Sequence, residues 1–109
     1  MITIEQIRAY ADRIVKEFDP ERIILFGSFA SGIPTVDSDV DLMVVMPFSG
    51  NSVTKSADIL RRTAPTFAID LLVRSPESID RRLEMGDSFI REIIATGKPL
   101  YEKANGRVG

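Results

Sequence analysis

An α/β domain is what this sequence predicts, on three observations. Apolar residues recur at helical intervals in several segments. A nearly continuous apolar run from Val40 to Met46 has the length and β-branched content of a buried strand. Pro, Gly, Ser and Asp punctuate the chain between these segments. At 109 residues there is material for one domain, expected over residues 1–104, with a frayed tail at 105–109.

Thr3 and Gln6 have the spacing of a capping box, and Ile4, Ile7, Ala11, Ile14, Val15 and Phe18 follow at the helical interval. The first helix therefore begins after Thr3 and turns that face to the core. Asp19-Pro20 ends it, because the residue before proline is pushed out of helical dihedrals. Arg22 to Phe26 reads as a short strand, and Gly27-Ser28 as a turn into a brief helix. Val40 to Met46 is the second strand, central because it is apolar on both faces, with Pro47 to Asn51 as the loop behind it. Val53, Ala57, Leu60 and Ala64 share one face of an amphipathic helix that stops near Pro65. Phe67 to Val73 is the third strand. Ser75-Pro76 supplies an N-cap and a first-turn proline for a helix to about Met85. Asp87 caps a last helix whose core face is Phe89, Ile90, Ile93 and Ile94, and Gly97 closes it. A short strand around Leu100 and Tyr101 adds to a sheet edge.

Composition narrows the chemistry. Hydrophobic residues at 44% and charged residues at 28% match ordinary globular proteins and exclude a disordered chain. No apolar run approaches the roughly 20 residues that cross a bilayer, and no basic-apolar leader opens the chain, so a cytoplasmic location is expected. With neither cysteine nor histidine there is no disulfide, no imidazole base and no thiolate ligand. A metal would have to be held by oxygen, which points to a hard ion such as magnesium. The net charge of −2 argues against a surface that grips nucleic acid unaided.

Two segments carry the chemistry. FGSFASG, Phe26 to Gly32, places a glycine and a serine after a strand and before a short helix, where backbone N–H groups can point at phosphate oxygens. Taken alone the motif is weak, and a plain structural turn is the better explanation of it; a Walker A loop is excluded because no GK[ST] follows. DSDVDL, Asp37 to Leu42, is sharper: strand alternation puts Asp39 and Asp41 on one face with Val40 on the other. Carboxylates that close raise each other's pKa unless a cation sits between them. An EF-hand from Asp37 fails, since Leu42 and Phe48 stand where glycine and glutamate are required. Asp70, inside the apolar FAIDLLV, is expected to be a buried carboxylate in need of a partner, either a structural arginine or the other two acids around one or two metal ions.

GSFASG, then DSDVDL, then a lone aspartate in an apolar strand resembles the DNA-polymerase-β-type nucleotidyltransferase superfamily, and more narrowly its minimal nucleotidyltransferases. The resemblance covers nearly the whole chain and implies an α/β (α+β) fold, a small mixed sheet flanked by helices. It implies that Gly27 and Ser28 contact the triphosphate. It also implies that Asp39 and Asp41 bind Mg2+, two ions in all, and that Asp70 ligates the second ion or activates the acceptor hydroxyl. The reaction implied is attack of a hydroxyl on the α-phosphate of a nucleoside triphosphate, ATP, with transfer of AMP. Members of this size act with a HEPN-type protein partner as the antitoxin of a toxin–antitoxin pair; self-association stays open. One departure is Ser31, where many minimal members carry arginine. Two other readings remain: a binding or regulatory module that has kept the fold and acids without catalysis, and an unrelated magnesium-dependent hydrolase, which would not need the Gly-Ser turn.

Overall fold

Thr3 starts the first helix as its spacing predicts. Its hydroxyl accepts from the Gln6 N–H at 3.2 Å, while Gln6 Oε1 accepts from the Thr3 N–H at 2.8 Å. The computed structural model describes residues 1–103, so the tail expected at 105–109 and the last residue of the predicted domain lie outside the described residues. The elements run α1 (Ile4–Phe18), β1 (Arg22–Phe26), α2 (Ser28–Ser31), β2 (Val40–Val45), α3 (Ser52–Thr63), β3 (Ile69–Arg74), α4 (Pro76–Glu84), α5 (Ser88–Thr96) and β4 (Lys98–Glu102). Asp19 and Ala64, the C-caps of α1 and α3, have φ of 50° and 44°. Each precedes a proline, which bars the helix from continuing.

The four strands form one mixed sheet in the order β3-β2-β1-β4. β1 pairs antiparallel with β2 and β4, while β2 and β3 are parallel, joined by α3 as the crossover. Alternation along β2 splits the core into two layers. Leu42 and Val44 pack with Ile7, Ile14 and Ile59 under α1 and α3. Met43 and Val45 pack with Ile79, Ile90 and Ile93 under α4 and α5. The fully buried Ile and Leu side chains contribute about 1.5–3 kcal/mol each, which fixes the register of the strands that carry them. At the far edge β4 joins β1 with a register shift between Ile23 and Ile24, and Lys103 N–H bonds to Glu21 O at 2.8 Å. Among the described residues no helix is long and apolar enough to cross a membrane.

Several side chains lie elsewhere than the spacing predicts. In α3 the buried positions are Ile59 and Thr63, not Val53, Ala57 and Ala64, which are exposed; the helix is turned by one residue. The face is decided by a polar contact that periodicity ignores: Tyr10 Oη and Thr63 Oγ1 meet at 2.7 Å, and Thr63 Oγ1 donates to Ile59 O at 2.7 Å. Ile4, the first residue of α1, is exposed. Phe89 is 54% exposed on α5, where Ile90 and Ile93 make the buried face. β3 starts at Ile69 rather than Phe67, and β2 stops at Val45 rather than Met46. Gly97 does close α5, but at φ −68°, so no left-handed cap requires it. A methyl there would meet Ile93 O at 2.5 Å and Ile24 Cγ2 at 2.6 Å: the glycine serves the close passage of the chain against β1.

Candidate active site

At one end of the sheet the strand registers bring three side chains into a row: Phe26 of β1 opposite Asp41 of β2, and Asp41 beside Asp70 of β3. Asp41 shares the parity of Met43 and Val45, and Phe26 that of Ile24, so the row lies on the face covered by α4 and α5. A cleft of about 260 Å³ opens there, lined by Phe26, Asp41, Asp70, Leu71, Leu72 and Phe89. Phe26 and Phe89 meet edge to face, centroids 5.9 Å apart at 83°, and close one side of it.

Asp41 is half-buried, and its carboxyl is pushed up to about 6. Burial is the largest cause, followed by the charge of Asp70, a hydrogen bond with Asp70 and the charge of Asp39. Every one of these causes opposes ionisation. Among the described residues Asp39, Asp41 and Asp70 take part in no salt bridge, so no arginine or lysine answers this concentration of negative charge.

The predicted site residues are brought together unevenly. Asp41 and Asp70 are neighbours in register. Asp39 lies in the loop just before β2, exposed but near enough for its charge to act on Asp41. Asp70 is exposed, not buried as its apolar neighbours suggested, because it stands at the open end of an edge strand. Among the described residues no three acidic side chains are gathered into a preformed ligand set. Magnesium does not need one: it is commonly held by one or two carboxylates, with water and substrate phosphates completing its shell. An all-oxygen donor set with no opposing cation suits such an ion, with Asp39, Asp41 and Asp70 as the groups that would hold it.

Gly27 stands where β1 gives way to α2, and two observations explain the glycine. Its backbone, φ 75° and ψ −154°, lies in a region that side chains essentially exclude, and a Cβ there would overlap Asp41 Oδ2. Gly27 is therefore packed directly on Asp41. No side chain caps α2, and among the described residues the N–H groups of Ser28 and Phe29 take no protein partner. Ser31 Oγ turns back to donate to Ser28 O at 3.1 Å and leaves the turn without a cation.

Phe26 and Phe89 are the site residues that the sequence did not mark. Phe26 has a signal, as the last strand residue before the glycine; Phe89 has none, because its position fits a buried helix face.

Comparison with known proteins bears on the family and the fold. The family model described as Polymerase beta, Nucleotidyltransferase matches residues 5–105. Among solved structures, the chain is similar to a protein from Sulfolobus solfataricus provisionally described as a nucleotidyltransferase. That likeness has a TM-score of 0.57 and 21% identity, over 72% of this chain and 71% of that one. It is similar to a toxin–antitoxin protein crystallised with AMP-PNP, TM-score 0.60 and 17% identity, over 91% and 76% of the two chains. It is also similar to the toxin–antitoxin MntA-HpeT in a form with two aspartates, two positions apart, changed to glutamate. There the TM-score is 0.59 and the identity 13%, over 91% and 75%. No curated protein matches the sequence.

Proposed function

The chain belongs to the polymerase beta nucleotidyltransferase family, and from that membership we propose that it is a magnesium-dependent nucleotidyltransferase that moves AMP from ATP to a hydroxyl of a protein partner. The observation that carries this reading is the stacking of three features at one sheet end. A glycine turn with free N–H groups sits on a carboxylate, and that carboxylate lies in register with a second one, with no cation between them.

In this reading Gly27 and Ser28 receive the β- and γ-phosphates through their backbone N–H groups. Asp39, Asp41 and Asp70 form the negative wall opposite. Magnesium, when bound there, neutralises the triphosphate and stabilises charge on the attacking and leaving oxygens. The acceptor oxygen forms its bond to the α-phosphorus while the α–β bridging bond breaks. Pyrophosphate departs with that electron pair, and the acceptor's proton passes to Asp70, which is the exposed acid of the pair and the one an incoming hydroxyl can reach.

The similar structures support two finer points as expectations for this chain. AMP-PNP, an ATP analogue, was the ligand in one toxin–antitoxin protein, and an aspartate pair of the spacing of Asp39 and Asp41 was altered in another. A HEPN-type toxin encoded beside this chain is accordingly the acceptor to try first, with this chain as its antitoxin, acting in the cytoplasm. One observation favours a second reading, an inactive module that neutralises its partner by binding alone: the turn from Phe26 to Gly32 carries no cation, and Ser31 is spent on Ser28 O. Incubation with α-³²P-labelled ATP, magnesium and the neighbouring gene's product separates the two. Label on the partner, dependent on Asp39 and Asp41, supports transfer. A stable complex with no label under any metal sinks it in favour of the binding module.

A further inference from the structure

We propose that the exposed ring of Phe89 is the platform on which the nucleobase of the bound triphosphate stacks, in the hollow beside Gly27. The inference rests on the nucleotidyltransferase reading of this end of the sheet. Phe89 is an anomaly that its own helix does not explain. It sits on α5 next to the fully packed Ile90, yet it is 54% exposed, and its one aromatic partner among the described residues, Phe26, stands nearly perpendicular to it rather than stacked on it. A lone exposed phenylalanine is unremarkable. This one separates two hollows. On one side lies the acid cleft with Asp41 and Asp70. On the other lies a hollow of about 240 Å³ bounded by Phe26, Gly27, Phe89, Glu92, Ile93 and Thr96.

The second hollow meets the phosphate turn at Gly27, and three of its six lining residues, Phe26, Phe89 and Ile93, are apolar. Its polar members bring oxygen. Glu92 makes no salt bridge among the described residues, and the Thr96 hydroxyl gives its proton to Glu92 O at 2.8 Å, leaving its oxygen to accept. Oxygens at the rim favour a base that carries an amino group, as adenine and cytosine do and uracil does not. A triphosphate held at Gly27 and Ser28, with its α-phosphate toward the acids, thus has a stacking surface within reach of its nucleoside end. Phe89 is a binding residue in this scheme: it touches the base and takes no part in the bond change.

The test compares ligands with and without a base on the intact chain in magnesium buffer. Phe89→Ala is expected to weaken ATP binding, measured by calorimetry, roughly tenfold or more, the scale of base–aromatic stacking, and to leave inorganic tripolyphosphate binding unchanged. Phe89→Trp is expected to restore ATP affinity. A melting temperature of Phe89→Ala lowered by no more than a few degrees, as loss of the edge-to-face contact with Phe26 entails, shows that the loss of ATP binding is local. Equal ATP affinity for wild type and Phe89→Ala, with tripolyphosphate still bound by both, overturns the stacking platform and leaves the nucleotidyltransferase reading standing. A wild type that binds neither ATP nor tripolyphosphate overturns both. UTP bound by the wild type as tightly as ATP overturns the role given to the oxygen rim.

Discussion

Tyr10 and Thr63 meet on one face of the sheet, and Asp41 and Asp70 on the other. The first pair is neutral and fully partnered. Thr63 gives its proton to Ile59 O, so the Tyr10 hydroxyl must donate to Thr63, and burial pushes the Tyr10 phenol up and keeps it protonated. The second pair consists of two acceptors that can bond only if one is protonated, with a third acid close by and no cation opposite. Both pairs join elements distant in sequence, yet one stabilises the fold and the other works against it. A polar group with every valence answered belongs to the architecture; one left in conflict marks the place where a ligand supplies what the protein withholds.

The largest effect should fall on activity. Asp39→Asn and Asp41→Asn are each expected to reduce label transfer by roughly a thousandfold or more, about 4 kcal/mol of lost metal stabilisation, while remaining folded. Transfer within tenfold of wild type would break the contrast at its functional side. Next comes Gly27→Ala, expected to cost about 2–4 kcal/mol in chemical denaturation, because a methyl is forced against Asp41 at a strained φ. A neutral result would mean that the turn does not rest on the acid.

Thr63→Val takes the acceptor from the buried Tyr10 hydroxyl and should cost about 1–3 kcal/mol by the same measurement. Asp41→Asn should do the opposite. In metal-free buffer at neutral pH it is expected to stabilise the fold by about 1 kcal/mol, a figure reduced for the solvent that reaches this half-exposed group. The pH dependence sharpens this. Asp41 ionises at about 6 in the folded chain against 3.8 ordinarily. The stability gained from the retained proton is therefore complete below about 3.8 and is lost as the pH rises through about 6. Wild type minus Asp41→Asn should show that loss without metal, and millimolar magnesium should offset it by binding the native state. Parallel pH profiles for the two proteins would remove the distinction between the faces.

How much of this was legible in the residues divides along the same line. Local signals placed the elements well: the Thr3–Gln6 box, the prolines after Asp19 and Ala64, and the Ser75 and Asp87 caps each act within one turn of chain. The alternation in DSDVDL set Asp41 opposite Val40, as β2 has them, but counted on a strand at Asp39, which lies before β2 begins; the structure brings Asp70 beside Asp41. What failed depends on distant partners. The face of α3 follows a threonine that meets a tyrosine 53 residues away. The exposure of Asp70 follows from β3 lying at a sheet edge, and that of Phe89 from the hollow beneath it, neither of which periodicity contains.

The β4 edge has a consequence for the order in which the domain opens. Phe26 and Asp41 are joined by one antiparallel pairing and Asp41 and Asp70 by one crossover, whereas β4 closes onto β1 with Arg22 opposite Glu102, a far longer separation in sequence, through an interrupted register. Closing the longest loop costs the most chain entropy, and an irregular ladder returns least for it. β4 is thus the segment expected to detach first in native-state fluctuations, with its amides exchanging with deuterium ahead of those in β2. Asp41, on the central β2, is thereby held where the sheet is expected to open after β4 has left.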